Sequence, residues 1–297
     1  MINDSIDKML FIINPKSGGG AGLDGLIAAI QAHFKNVQIA YTQCKGHAVQ
    51  LAAKAVEEGK ERVIVAGGDG TINEVVQSLA GTKTALGVIA RGSGNGLARE
   101  LGCPLNNFDL ACQHIKNSKP VLCDVGIAQG EYFINLAGIG IEADIAHKFD
   151  EQGKSGARGK WPYFKIGFKE VLKYTPKYLE VELDDGRFLS VAPLTLVFAN
   201  GRQYGSNFKI APQSSLTDGY LDMVMVQNAN PFRLILSLPN FFIEGVTPIK
   251  VTKTIKVQKA LVHCPGNFYY HIDGEPKQGK DTFKIEIKKA AINILME

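Results

Sequence analysis

Three apolar segments near the beginning of the sequence each end in a glycine-rich stretch. "MLFIIN" (9–14) is followed by "PKSGGG", "RVIVA" (62–66) by "GGDGT", and "ALGVIA" (85–90) by "RGSGNG". Short, uniformly apolar segments rich in Val and Ile predict strands buried on both faces, which is typical of a parallel sheet. Because the carboxyl ends of parallel strands lie at one edge of an open sheet, where ligands bind, we expect the three glycine stretches to form one site.

The pattern changes at about residue 125, which predicts two domains. Before that point, 22–34 and 46–59 have apolar residues every three or four positions and predict helices between the strands. After it, alternating polar and apolar residues joined by Asp-Gly and Asn-Gly pairs predict antiparallel strands. We therefore predict an α/β domain with a parallel sheet and glycine-rich nucleotide loops over 1–125, and a β-rich antiparallel domain over 126–297. The last segment, 290–297, is compatible with a strand of either domain.

Composition indicates an ordinary soluble protein. Of 297 residues, 45% are hydrophobic and 21% are charged, and the net charge of +4 is too small to indicate nucleic-acid binding. No apolar segment reaches the ~20 residues of a membrane-spanning helix, and the first seven residues do not resemble a signal peptide. The five cysteines include no C-x-x-C pair, which favours free thiols in a reducing compartment over a zinc site. We expect a cytoplasmic protein.

The second glycine stretch, "GGDGT", contains a carboxylate where phosphate binding would be expected. A glycine turn between a strand and a helix can hold phosphate through backbone N–H groups, but phosphate repels a carboxylate. Asp69 is therefore best explained by a cation between the two, as in a complex of Mg²⁺ with a nucleotide. A structural alternative stays open for Thr71 and Glu74, because T-x-x-E also matches a helix capping box.

The sequence resembles the diacylglycerol kinase catalytic-domain family, in the bacterial branch that is also similar to sphingosine kinases. The resemblance extends over nearly the whole chain and rests on "FIINPKSGGG", "GGDGTINEVV", "RGSGNGLARELG", "ANGRQYGSNFKIAPQSSLTDGYLDMVMV" and "HIDGEP". It implies ATP and Mg²⁺ as cofactors, a lipid substrate, and an active site in the cleft between the two domains. The sequence departs from the family at Arg91, which replaces a proline and puts an extra cation near the phosphates, and at "YGSN" (204–207), which replaces Y-G-G-G.

The resemblance implies a nucleotide site built mostly from the glycine stretches. The residues that it assigns to the nucleotide are Asn14, Pro15, Lys16, Ser17, Gly18, Thr42, Gly67, Gly68, Asp69, Gly70, Thr71, Glu74 and Ser93.

The resemblance also implies three catalytic acids. Glu275 matches the residue that accepts the proton of the substrate hydroxyl, while Asp69 and Asp124 act on or near the metal. The residues alone leave an alternative for Glu275, because Asp273-Gly274 is also an ordinary hairpin turn.

A second metal site is implied in the β-rich domain. There the carboxylate of Asp218 and the backbone carbonyls of Ser215 and Tyr220 match a structural Mg²⁺ site of the family. A plain Asp-Gly turn at Asp218 is the alternative.

The segment 147–177 is basic and contains a candidate amphipathic helix at 161–174. This pattern suits peripheral docking on an anionic membrane at the inner face, although an ordinary packed helix with solvated lysines fits it as well. A second, more apolar candidate helix at 231–244 fits either the core, which we favour, or the lip of a lipid cleft. The sequence leaves open a homodimer and contains no nucleic-acid recognition motif.

The function predicted from these features is ATP-dependent transfer of phosphate to a hydroxyl group of a membrane lipid. Diacylglycerol, a sphingoid base or ceramide, and phosphatidylglycerol all remain open as the lipid. Two alternatives are an NAD kinase-like enzyme that phosphorylates a small molecule, and a nucleotide-binding regulatory module without turnover.

Overall fold

The computed structural model describes residues 8–35, 37–153, 174–227 and 252–297. The chain divides into two compact units. The first unit contains Met1–Val125 and Lys288–Glu297, and the second contains Gly126–Ile287. Of the two candidate helices predicted in the second half, 231–244 lies outside the described residues, as does all of 161–174 except Tyr174.

The first unit contains the parallel sheet that the sequence predicts. Its strands are paired in the order β2-β1-β3-β4, and the last residues of the final strand, β16, pair with β4 in the same direction. The ranges are β1 Met9–Ile13, β2 Gln38–Tyr41, β3 Arg62–Gly67, β4 Ala85–Ala90 and β16 Glu275–Met296. Phe11 and Ile64 pack in one hydrophobic cluster, and the alternate residues Ile12 and Val65 are also fully buried. The sheet is therefore buried on both faces, which is why its strands are apolar at nearly every position.

Helices alternate with these strands. They are α1 Leu23–His33, α2 His47–Glu57, α3 Asp69–Leu79, α4 Gly96–Glu100 and α5 Phe108–Asn117. Leu26 and Ile30 of α1 and Ile115 of α5 pack on the Phe11 side of the sheet, while α2 packs beside α3. Because α3 begins within the second glycine stretch and α4 begins at the last residue of the third, their N-termini lie at the carboxyl edge of the sheet.

The second unit is β-rich and antiparallel, as predicted. Its main sheet has the order β14-β13-β10-β7-β15-β16, β8 and β9 extend it from β15, and β6 pairs with the end of β5. The ranges are β5 Lys119–Ala128, β6 Glu131–Phe133, β7 Leu136–Gly140, α6 Ile141–Gly153, β8 Leu179–Leu183, β9 Phe188–Val191, β10 Pro193–Ala199, β11 Gln203–Gly205, β12 Phe208–Lys209, β13 Leu221–Gln227, β14 Thr252–Val257 and β15 Lys259–Ile272. Leu196 and Phe198 of β10 pack in one cluster, and the alternate residues Val197 and Ala199 pack in another, so both faces of this sheet are covered.

All five cysteines are free thiols, and only Cys44 is exposed. Burial raises the pKa of Cys103 and of Cys123 to about 12, so neither is an activated thiolate. Within the described ranges, no helix is long and apolar enough to cross a membrane.

Candidate active site

The first glycine stretch is joined to the second by a single side chain. Asn14 directly follows β1, and its Nδ2 donates a 3.0 Å hydrogen bond to Oγ1 of Thr71 in α3. Its Oδ1 accepts from the backbone N–H of Lys16 at 3.0 Å, and its backbone carbonyl accepts from the N–H of Ser17 at 3.2 Å. Asn14 therefore fixes both the turn that follows β1 and the distance between two predicted phosphate-binding segments.

The remaining predicted residues of the first stretch form an open turn. Pro15 is half-buried, Lys16 is exposed, and Ser17 begins a short 3₁₀ turn, Ser17–Gly20. Gly18 and Gly19 have φ angles of +63° and +69°. These left-handed conformations are the reason for glycine at both positions.

The second and third glycine stretches approach each other backbone to backbone. A Cβ atom on Gly92 would lie 2.7 Å from Cα of Gly68, so a side chain there would clash with main-chain atoms. A Cβ on Gly67 would lie 2.8 Å from Cβ of Thr71, which is equally close. Glycine is thus required where β3 and β4 end, and the two stretches lie together as the sequence predicts.

Asp69 is the first residue of α3, and its carboxylate reaches the third stretch. Oδ1 accepts a 2.6 Å hydrogen bond from the backbone N–H of Gly96, the first residue of α4. Asp69 therefore satisfies one of the N–H groups at the beginning of α4 that lack a partner within the helix. This contact gives the Asp69 carboxylate a structural role that requires no cation, and the metal role of Asp69 stays a prediction.

Glu74 has a structural role, but not the capping-box role that the sequence left open. Its two carboxylate oxygens accept from the backbone N–H groups of Gly46 at 2.8 Å and Ala48 at 3.1 Å, at the beginning of α2. The capping-box alternative is wrong, because α3 begins at Asp69 after the N-cap residue Gly68, which places Thr71 inside the helix. Contact of Glu74 with a nucleotide stays a prediction.

Three other residues predicted to contact the nucleotide lie at or near the ends of β1, β3 and β4. Thr42 is buried, and its backbone N–H donates to the carbonyl of Ile13 at 2.9 Å, so it lies beside the end of β1. Gly70 is the second residue of α3, and Ser93 is exposed on the third stretch.

Arg91 does not project into solvent as a free cation. It is buried, and its Nη1 and Nη2 donate 3.0 Å hydrogen bonds to the carbonyls of Asn14 and Ala21, respectively. Burial lowers the pKa of its guanidinium. The sequence identified the position as unusual but could not identify these partners.

Asp124 is buried within the first unit. Its Oδ1 accepts a 2.7 Å hydrogen bond from the backbone N–H of Ala290, which has a φ angle of +49°. Asp124 thus stabilises the left-handed backbone conformation of Ala290 within β16. A link from Asp124 to a metal stays a prediction.

In the second unit, Asp273 and Gly274 form a two-residue hairpin turn between β15 and β16, and Glu275 is the first residue of β16. Ile272 pairs with Glu275, and the φ angles of Asp273 and Gly274 are +47° and +85°. The Asp273 carboxylate accepts from the backbone N–H groups of Ile134, Asn135 and Leu136 at 3.0, 2.9 and 3.0 Å. Asp273 is therefore an anchor for the beginning of β7, whereas Glu275 follows the turn and makes none of these three contacts.

The predicted metal site around Asp218 contains a lysine. Oδ1 of Asp218 accepts from the backbone N–H of Tyr220 at 3.0 Å, and Oδ2 forms an ion pair with Lys256. Oγ of Ser215 accepts from the N–H of Thr217 at 3.3 Å. Nζ of Lys256 also lies 5.8 Å from the centre of the Tyr220 ring. A carboxylate already paired with an ammonium group does not fit a divalent cation in this arrangement, and the metal role of Ser215, Asp218 and Tyr220 stays a prediction.

One buried pair of titratable groups was missed by sequence reasoning. Nε2 of His271 lies 3.8 Å from Oε1 of Glu142, and the carboxylate oxygens and both ring nitrogens are buried. Burial raises the pKa of Glu142 to about 8 and lowers that of His271 to about 4. A Cβ on Gly138 would lie 3.0 Å from the carboxylate and 3.1 Å from the ring, so glycine leaves room for the pair. The glutamate within "GIGIEADI" was the available signal.

No group of three or more His, Cys, Asp or Glu side chains that could hold a metal occurs in the part of the chain that the structure describes. Mg²⁺ in nucleotide sites is usually held by one or two carboxylates together with the phosphates, so such a site needs no larger cluster.

The chain therefore consists of an α/β unit, in which three glycine stretches are joined at the carboxyl edge of a parallel sheet, and a β-rich unit. Residues 8–128 match the diacylglycerol kinase catalytic domain, and residues 136–296 match the YegS C-terminal NAD kinase beta sandwich-like domain. The chain belongs to the diacylglycerol kinase catalytic-domain family.

Two curated relatives and one solved structure illustrate this similarity. A diacylglycerol kinase of Mycobacterium tuberculosis is 30% identical over 285 residues, which cover 91% of this chain and 89% of the relative. A diacylglycerol kinase of Bacillus subtilis is 35% identical over 191 residues, which cover 64% and 62%. A crystal structure of a diacylglycerol kinase from Bacillus anthracis has a TM-score of 0.74 at 20% identity and covers 99% of this chain and 98% of that one. The last similarity shows the fold alone.

Proposed function

We propose that this protein is an ATP-dependent lipid kinase that transfers the γ-phosphate of ATP to a hydroxyl group of a membrane lipid. The observation that supports this most strongly is the joining of the three glycine stretches at one sheet edge. Asn14 ties the first to the second through Thr71, and Asp69 ties the second to the third through Gly96. A rigid set of backbone N–H groups at helix N-termini suits a polyphosphate.

The proposed roles follow from the chemistry of phosphoryl transfer, in which positioning and neutralisation of charge supply most of the rate. Mg²⁺ bound with ATP would neutralise the charge that develops on the phosphates. Asp69 would hold that ion while its Oδ1 keeps the contact with Gly96. Asp124 would act on the ion through ordered water, and Glu275 would accept the proton of the lipid hydroxyl.

Diacylglycerol is the first lipid to test, because the M. tuberculosis and B. subtilis relatives are named diacylglycerol kinase. Sphingoid bases, ceramide and phosphatidylglycerol remain candidates. Glu275 as the base favours no lipid among these, since each offers a hydroxyl group.

The experiment is incubation of the protein with γ-labelled ATP and a panel that contains each lipid in mixed micelles, NAD, and no acceptor. We expect label in a lipid. Label in NAD phosphate would instead support the NAD kinase-like alternative, and binding of ATP without transfer to any acceptor would support a regulatory module.

We also propose that the protein acts in the cytoplasm and docks peripherally on anionic membrane through the basic segment 147–177, most of which lies outside the described residues. Activity on anionic vesicles should fall as salt rises, since the Debye length shrinks to ~3 Å at 1 M. Activity on a short-chain soluble lipid should fall much less. Equal salt sensitivity on both substrates would reject docking.

A further inference from the structure

One guanidinium group holds both ends of the first glycine stretch. Arg91 directly follows β4, and its two Nη atoms donate to the carbonyls of Asn14 and Ala21 at 3.0 Å each. Asn14 and Ala21 bound the segment that contains the 3₁₀ turn Ser17–Gly20. The backbone of Arg91 also lies close to this segment, because a Cβ on Gly18 would lie 3.0 Å from the Arg91 carbonyl oxygen. The shape of residues 14–21 therefore depends on Arg91.

The positive charge of Arg91 has no counter-ion within the described ranges. Its side chain forms no ion pair with any carboxylate there, although the residue is only 6% exposed. Its hydrogen-bond partners are two neutral carbonyl groups. A buried charge is costly unless an opposite charge or several hydrogen bonds compensate it. Two carbonyls provide only part of that compensation, and a bound anion would provide the rest.

The adjacent backbone is shaped to receive an anion. Lys16 is in the right-handed region, at φ −85° and ψ −12°, and Gly18 and Gly19 that follow shortly after are in the left-handed region. Turns of this kind direct backbone N–H groups into a concavity that binds anions. Gly18 and Gly19 are exposed, so the turn is accessible from solvent.

We propose that Arg91 positions the first glycine stretch for the phosphate groups of a nucleoside triphosphate, and that its buried positive charge favours an anion at that stretch. Arg91 is a positioning residue, because it acts through the carbonyls of Asn14 and Ala21. This inference deepens the proposed function and rests on it. It also predicts that lysine cannot replace Arg91, since one ammonium group lacks the planar pair of donors that reaches two separate carbonyls.

The test compares Arg91→Lys and Arg91→Ala with Arg62→Lys, a control at the opposite end of the sheet in β3. The measurement is the dissociation constant of ATP and of inorganic tripolyphosphate, by calorimetry without lipid. For Arg91→Lys we expect both constants to rise at least about tenfold, which corresponds to the loss of one hydrogen bond to a charged group. The control should bind like the wild type, and added guanidinium ion should restore part of the affinity of Arg91→Ala.

The outcomes separate this inference from the proposed function. If the wild type binds neither ATP nor tripolyphosphate, the proposed function fails. If the wild type binds both and Arg91→Lys binds equally well, only the role of Arg91 is wrong. Should both variants fail to fold, hydrogen exchange of the wild type decides: ATP must slow exchange at residues 16–21, and unchanged exchange there would overturn the inference.

Discussion

The carboxylate of Asp69, the first residue of α3, accepts a 2.6 Å hydrogen bond from the backbone N–H of Gly96, the first residue of α4. Because of this contact, the Asp69 carboxylate has two roles to test: it accepts a hydrogen bond from Gly96, and it carries a negative charge. Two different substitutions are needed to distinguish them. Asp69→Asn keeps a side-chain oxygen for Gly96 and removes the charge, whereas Asp69→Ala removes both.

We expect Asp69→Asn to melt near the wild-type temperature and to lose turnover by about 10²–10³-fold, the usual cost of removing one electrostatic group from an active site. Asp69→Ala should lose turnover and melt earlier as well. The measurements are melting temperature and ATP turnover, with the exposed Asp24→Asn as a control. Near-normal turnover of Asp69→Asn at saturating Mg²⁺ would mean that Asp69 serves only Gly96.

At the turn between β15 and β16, we expect Glu275 to serve the chemistry and Asp273 to serve the stability of the fold. Glu275→Gln should reduce turnover by about 10²–10⁴-fold, since the amide has the same size but cannot accept a proton. Its ATP affinity and melting temperature should stay unchanged. Side-by-side turnover and nucleotide-binding assays check this, and full activity of Glu275→Gln would rule out Glu275 as the base.

Asp273→Asn should show the opposite pattern. The Asp273 carboxylate accepts from three backbone N–H groups at the beginning of β7, and an amide offers only one acceptor atom. We expect a loss of about 1–3 kcal/mol in the free energy of unfolding, measured by urea denaturation. An inactive but fully stable Asp273→Asn protein would point to Asp273 as the base instead.

The buried pair of Glu142 and His271 predicts how stability depends on pH. The pKa of Glu142 is raised to about 8, so its contribution to stability is present at low pH and is lost as pH rises from its unfolded value toward 8. The pKa of His271 is lowered to about 4, so this residue makes stability fall as pH drops from about 6.5 toward 4. The two effects oppose each other in the overlap, and above pH 6.5 only that of Glu142 remains.

Melting temperatures of Glu142→Gln and of the wild type between pH 6.5 and 8.5 test this. The melting temperature of the variant should rise relative to that of the wild type as pH rises, since Gln does not ionise. A difference that stays constant over this range would show that Glu142 is ionised in the folded protein throughout.

The ion pair between Lys256 and Asp218 predicts how the melting temperature responds to Mg²⁺. Because its ammonium group already pairs with Asp218, we expect Mg²⁺ to cause no change in wild-type melting temperature that depends on Asp218. Lys256→Met should acquire such a change, and the double variant with Asp218→Asn should lose it again. Lys253→Met, at an exposed position of the same strand, is the matched control. An Asp218-dependent Mg²⁺ effect in the wild type would support the metal role of Ser215, Asp218 and Tyr220.

The sequence predicted the parts of the fold that depend on local pattern. β1, β3 and β4 are apolar at every position except Arg62, so their burial was evident. The change to alternating residues identified the β-rich unit. β2 was missed because Gln38–Tyr41 is short and none of its residues is fully buried. A strand of this kind at the edge of a sheet has no distinctive pattern.

The site was predictable as a set of segments but not as a set of contacts. Glycine stretches identified where backbone atoms approach closely, as at Gly68 and Gly92. The partners of Glu74, Arg91 and Asp124 are 26 to 166 residues away along the chain. Contacts over such separations depend on packing, which no local pattern in a single sequence records.

The most direct test of the central claim is transfer of label from γ-labelled ATP to diacylglycerol in mixed micelles, with the ADP that is released measured in the same reaction. We expect one equivalent of labelled lipid for each equivalent of ADP, and loss of both products in Asp69→Asn and Glu275→Gln. ADP release without labelled lipid, for diacylglycerol and every other lipid of the panel, would contradict the assignment of this protein as a lipid kinase.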